Sequence, residues 1–232
     1  MNRKMKLLAL GIAVLIVLLS VETYAWQTAE NGDNRAVYIR VACVGDSLTC
    51  GTVYPDDLWL LLGSKYVIGN FGVSGATVFL NSDNPYMLTP AFNVAKRFEP
   101  QMVVIMLGTN DANPALNESN AAFVSDYVKL ISQFQGLTSK PKIWVVEPPP
   151  IFNNTAGLSG EYLRQNIIPD VEKVANLTED PIIDVYDPLI NHSAYFPDGV
   201  HPEVNGSMAV AELIYNALTS TATIHNAIAL EK

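Results

Sequence analysis

The chain has 232 residues, with 14 Lys and Arg against 23 Asp and Glu and a formal net charge of −9 at pH 7. That acidity disfavours a nucleic-acid partner, because phosphate binding needs clustered cations, and equally disfavours an anionic membrane surface as a platform. Only Cys43 and Cys50 are available for redox chemistry.

Residues 1–25 carry a basic start (Arg3, Lys4, Lys6), an apolar run over 7–21 and a small residue, Ala25. This pattern predicts export through a cleaved signal peptide or an uncleaved N-terminal membrane anchor. The apolar run is shorter than the roughly 20 residues a spanning helix needs. A single domain is expected over 36–220, followed by a tail over 221–232. Five Asn-x-Ser/Thr sequons (Asn117, Asn153, Asn176, Asn191, Asn205) are glycosylation acceptors only in a host with the machinery.

From residue 37 onward, short apolar runs alternate with helical patterns. Strands are expected over 37–44, 66–73, 102–107, 143–146 and 182–185. Cys43 falls inside the first, among Val41, Ala42 and Val44, where a free thiol behaves as a small apolar core residue. The run 102–107 is apolar at every position, the pattern of a parallel strand covered on both faces. Helices are expected over 121–134 (ended by Gly136), 161–175 and 206–218, with Pro169 kinking or shortening the second. The alternation predicts an α/β fold, a three-layer α/β/α sandwich. Ligands then bind beyond the carboxyl ends of the strands.

Four polar segments fall at those ends: Gly45-Asp46-Ser47-Leu48-Thr49, Asn70-Phe71-Gly72-Val73-Ser74-Gly75, Gly108-Thr109-Asn110-Asp111 and Asp198-Gly199-Val200-His201-Pro202. A serine hydroxyl needs a neighbouring base to become a nucleophile, and His titrates in the useful range. The base needs a carboxylate on its other nitrogen to hold its tautomer. Asp198, three residues before His201, delivers both groups from one loop, and Pro202 is placed to open the next helix. An oxyanion needs preorganised donors; those available are the backbone N–H groups of Ser47 and Gly72 and the side-chain amide of Asn110. Glycine at 72 suits a donor because no Cβ obstructs the ligand. Asp46 is expected to hold the turn by hydrogen bonds while pointing away from the nucleophile, and Asp111 to form an Asx turn. His192 and His225 lack a carboxylate at useful spacing.

These four blocks, GDSLT, NFGVSG, GTND and DGVHP, resemble the SGNH or GDSL hydrolase family over residues 45–202. The resemblance implies Ser47 as nucleophile, Asp198 and His201 as the activating pair, and Gly72 and Asn110 as oxyanion donors. It also implies a flavodoxin-like sheet of about five parallel strands, with no metal and no organic cofactor. A Gly-x-Ser-x-Gly hydrolase is a poorer match, because Thr49 stands where that motif has its second glycine.

The segment from Gly69 through Phe92, with NFGVSGAT, NPY and TPAF, and the Pro148-Pro149-Pro150 turn resemble the sialate or xylan O-acetylesterase-like group. A small ester or acetylated glycan is the expected substrate, with Tyr54, Tyr86 and Glu147 as candidate substrate contacts and Trp59 and Phe152 as further aromatics near the strand ends. The rivals are a short-chain acyl esterase, lysophospholipase or arylesterase on the same site, or an acyltransferase or glycan-binding domain. Membrane contact is expected only through an uncleaved anchor.

Overall fold

The structure, a computed structural model, describes residues 38–116 and 118–220; the leader expected over 1–25 and the tail expected over 221–232 lie outside the described residues. Five strands, β1 (Ile39–Gly45), β2 (Tyr66–Gly72), β3 (Met102–Met106), β4 (Lys142–Val146) and β5 (Ile182–Ile183), form one parallel sheet in the order β2-β1-β3-β4-β5. This is the flavodoxin-like order, with its crevice where β1 neighbours both β2 and β3. β3 is buried at every residue, as its unbroken apolar run requires. Gly45 pairs with Gly72 on one side and Met106 on the other. Three strands therefore end level with one another, and the loops that follow them start from a common line.

β5 stops two residues short of the expected 182–185. The Asp184 side chain accepts the Asp187 N–H at 2.9 Å, and the chain turns into a short helix.

The helices are α1 (Ser47–Cys50), α2 (Tyr54–Leu62), α3 (Pro90–Arg97), α4 (Asn120–Gln135), α5 (Gly160–Tyr162), α6 (Ile168–Thr178), α7 (Tyr186–Leu189) and α8 (Val204–Thr219). α2 packs with α8, and α4 packs with α6, while the Phe92 ring of α3 meets Phe134 of α4 at 5.7 Å. These two groups form the outer layers of the sandwich. α4 has its N-terminus capped by Ser119, whose hydroxyl accepts the Ala122 N–H at 3.2 Å.

Pro169 does not break its helix. The turn before it, Leu163–Ile167, widens into a π-helix that joins α5 to α6. Proline has no N–H for the carbonyl four residues back and crowds it, and a wider turn relieves both problems without ending the helix.

Candidate active site

β1 turns sharply into α1. A Cβ at Gly45 would lie 2.1 Å from Thr49 Oγ1 and 2.7 Å from the Met106 carbonyl, so only glycine permits the turn. Asp46 caps α1, its Oδ1 accepting the Leu48 N–H at 2.8 Å. The carboxyl is fully buried, and burial pushes it up to about 7 against the opposing pull of the Leu48 N–H, the Thr109 hydroxyl and nearby His201. Asp46 thus holds the turn, as expected. Ser47 occupies the first helical position, where its backbone N–H has no intrahelical acceptor.

The loop before α8 brings the other groups. His201 Nε2 lies 2.9 Å from Ser47 Oγ, and His201 Nδ1 lies 2.7 Å from Asp198 Oδ2. The second carboxylate oxygen, Oδ1, accepts the backbone N–H groups of Val200 (2.9 Å) and His201 (2.7 Å). Partial desolvation alone would raise the Asp198 pKa; the His201 backbone N–H, the His201 ring and the Val200 N–H overcome it and hold the carboxyl down to about 2. Gly199 has φ +82°, and a Cβ there would sit 2.2 Å from the Asn153 carbonyl. The neighbouring Phe152 N–H donates to the Gly199 carbonyl at 2.8 Å, so the segment after the triple-proline turn braces the His201 loop. Pro202 does not open α8: the helix begins at Val204, because Glu203 keeps extended backbone as its N-cap. His192 stacks on Tyr195 with ring centroids 5.0 Å apart, and His225 lies outside the described residues.

The donors after β2 and β3 require a correction. The Gly72 N–H is taken by Asn70 Oδ1 at 3.1 Å, while Asn70 Nδ2 donates to the Thr49 carbonyl at 2.8 Å. A Cβ at position 72 would fall 2.4 Å from Cys50 N and 2.8 Å from the Asp46 carbonyl. Gly72 is therefore glycine because β2 lies against the backbone of the Ser47 turn, not to clear a path for a ligand. Three residues on, Gly75 has φ +73°, and among the described residues no acceptor lies on its N–H. Asn110 Nδ2 donates to the adjacent Ala76 carbonyl at 2.9 Å, which draws the Gly75 tip to the end of β3 and leaves the second amide hydrogen of Asn110 available. Gly75 is a candidate donor that the sequence reading did not single out. Its signal was the Ser-Gly pair that closes NFGVSG.

Asp111 forms no Asx turn. It is buried, and its carboxylate accepts the N–H groups of Val78 (2.9 and 3.0 Å) and Phe79 (3.0 Å), fastening the end of β3 to the loop after β2.

The three candidate substrate contacts lie elsewhere. Tyr54 is buried at the start of α2, with its hydroxyl 3.1 Å from Thr49 Oγ1. Tyr86 is fully buried and donates to the Phe71 carbonyl at 2.7 Å. Both rings are core, because a large ring beside a strand end buries more apolar surface inside than out. Glu147 lines a separate cleft with Arg164, Glu172 and Asp184, and burial together with Asp184 raises its carboxyl to about 8. Cys43 is buried and Cys50 exposed, both as free thiols, in keeping with Cys43 as a core residue.

Solved structures of similar fold include a lipase/acylhydrolase from Enterococcus faecalis (TM-score 0.64, 22% identity, 78% of this chain and 95% of that one). Another is a carbohydrate acetylesterase from Sinorhizobium meliloti (TM-score 0.60, 20% identity, 78% and 99%). An acetylxylan esterase of Xylanibacter ruminicola is 32% identical over 206 residues, covering 78% of this chain and 43% of that protein. The chain thus spans less than half the length of that relative. The model of the GDSL-like Lipase/Acylhydrolase family matches residues 43–209. With that match added to the strand-end blocks around Ser47 and His201, the chain belongs to the GDSL-like lipase/acylhydrolase family.

Proposed function

We propose that this protein is a serine esterase that removes acetyl groups from carbohydrate through an acyl-enzyme on Ser47. The observation that carries the proposal is the unbroken line from Ser47 Oγ through the His201 ring to Asp198, with spacings of 2.9 and 2.7 Å. Ser47 Oγ attacks the ester carbonyl and its proton passes to His201 Nε2, leaving imidazolium beside the ionised Asp198. The oxyanion is held by the N–H groups of Ser47 and Gly75 and by the Asn110 amide. Collapse breaks the C–O bond to the sugar, and the departing oxygen takes the proton from His201. Water then gives a proton to His201 and attacks the acyl carbonyl; return of that proton to Ser47 Oγ releases acetate.

The acetylated-carbohydrate reading is supported by the relative described as an acetylxylan esterase and the neighbour described as a carbohydrate acetylesterase. It is also supported by exposure: the His201 and Asp198 side chains are 43% and 56% accessible, so the alcohol side of the ester has room for a bulky sugar. The basic start and apolar run of residues 1–25, read as a leader, support export, where an enzyme meets polysaccharide. Acetate release from acetylated xylan, beside rates on 4-nitrophenyl esters of rising acyl length, tests the proposal. A rate maximum at octanoate or longer overturns the acetyl preference, and a strict need for an added sugar acceptor makes the protein an acyltransferase instead.

A further inference from the structure

A cleft of about 290 Å³ opens between α2 and β2, on the edge of the sheet. Two regular elements build it. Asp56 and Trp59 stand three apart on α2 and so share a helix face. Tyr66, Ile68 and Asn70 alternate along β2 and so share a strand face. Trp59 leaves 47% of its surface exposed here. A single exposed apolar residue is ordinary. This one stands beside a carboxylate, a phenol and a primary amide, and an apolar platform with a few convergent polar groups is how ligand clefts are made.

The chemistry of the walls narrows the occupant. No cationic side chain lines the cleft, so it does not suit an anion. Its volume lies just below the roughly 300–1,000 Å³ of ligand sites, too small for a long acyl chain. A pyranose ring fits: its C–H face packs flat on an indole, and its hydroxyls donate to Asp56 and accept from amide or phenol donors.

Asn70 connects this cleft to the reaction. Its side chain walls the cleft and also grips the Thr49 carbonyl at 2.8 Å and the Gly72 N–H at 3.1 Å. One end of the cleft, at Asn70, therefore reaches the turn that carries Ser47, while Trp59, whose carbonyl accepts the Gly63 N–H just before β2 begins, stands toward the other end. We infer that it is a subsite for a ring several units along the glycan whose acetyl group enters at Ser47, with Trp59 as the stacking platform. This inference rests on the carbohydrate esterase reading above.

The test compares wild type, Trp59→Ala and Trp59→Phe as full chains. For Trp59→Ala, the KM on an acetylated xylo-oligosaccharide should rise about tenfold relative to the KM on 4-nitrophenyl acetate. Trp59→Phe, which keeps a ring, should recover most of that loss. A binding measurement independent of turnover uses Ser47→Ala protein titrated with unacetylated xylohexaose. Tryptophan fluorescence should change, and the change should vanish when Trp59→Ala is added. Equal KM effects on the two substrates together with a silent titration overturn the subsite, while hydrolysis of 4-nitrophenyl acetate leaves the esterase reading standing. Absence of hydrolysis of every ester by wild type overturns the esterase reading, and the titration then still judges the cleft. Conversion of a dimer to a monomer by Trp59→Ala, without a xylohexaose response, makes this face a contact between copies and overturns the proposal.

Discussion

His201 Nε2 stands 2.9 Å from Ser47 Oγ, although 154 positions separate the two residues. Each group is held by its own surroundings. Ser47 is set by the turn between Gly45 and the Asp46 cap, and His201 is set by Asp198, which holds both its backbone N–H and its ring. Preorganisation of this kind places the base on the nucleophile before substrate arrives.

Replacing Ser47 by Ala should lower kcat on 4-nitrophenyl acetate by on the order of a million-fold, as loss of a serine nucleophile does elsewhere. Circular dichroism should be unchanged, because the substitution removes one hydroxyl. Measurable steady turnover by a homogeneous preparation moves the nucleophile elsewhere.

Asp198→Asn should keep the loop and lose the chemistry. The Asn side-chain carbonyl still accepts the Val200 and His201 N–H groups, but the amide presents a donor to His201 Nδ1 and imposes the wrong tautomer. A fall in kcat of roughly ten thousand-fold is expected with little change in melting temperature. A near-normal rate removes Asp198 from the proposed relay.

The roles of Gly72 and Asn110 can be separated. Asn110→Ala should reduce kcat about 100- to 1000-fold with KM nearly unchanged. Gly72→Ala should instead unsettle the fold by about 1–3 kcal/mol, because its Cβ meets backbone atoms of the Ser47 turn. Denaturant melts beside steady-state kinetics make the comparison. A fully stable Gly72→Ala protein with specific loss of kcat would return the oxyanion role to Gly72.

Tyr86→Phe tests whether that ring serves packing or substrate. It deletes the hydrogen bond to the Phe71 carbonyl inside the core and should cost about 1–3 kcal/mol of stability. KM for acetylated xylan should stay within twofold. A large KM increase in a stable variant makes Tyr86 a substrate contact after all.

Glu147 should leave a mark on the pH dependence of stability. Its ordinary value is 4.5, and in the fold burial and Asp184 raise it to about 8. Between those values the folded protein keeps a proton that the unfolded chain has released, so stability falls as pH rises from about 4.5 to 8. Glu147→Gln removes that titration, and its melting temperature should vary less over the window than that of wild type. Parallel curves for the two proteins would show that Glu147 ionises normally.

Much of this was legible in the chain. The unbroken apolar run of β3 announced a sheet covered on both faces, and β3 is buried throughout. Gly136 marked the end of α4, as the structure has it. Pro169 shows the limit of local rules, since proline geometry foretells a disturbed turn but not its form; a π-helix carries the chain through.

The site divides in the same way. Sequence by itself determined the Ser47 turn and the Asp198–His201 pair, because each is built from neighbours within a few residues whose backbone and side-chain chemistry closes locally. Only the tertiary structure showed that the Gly72 N–H is consumed by Asn70 and that its missing Cβ makes room for the Ser47 turn. It likewise sent Tyr54 and Tyr86 into the core and left Trp59 outside. Which face of an element is buried depends on what packs against it, and that partner comes from elsewhere in the chain.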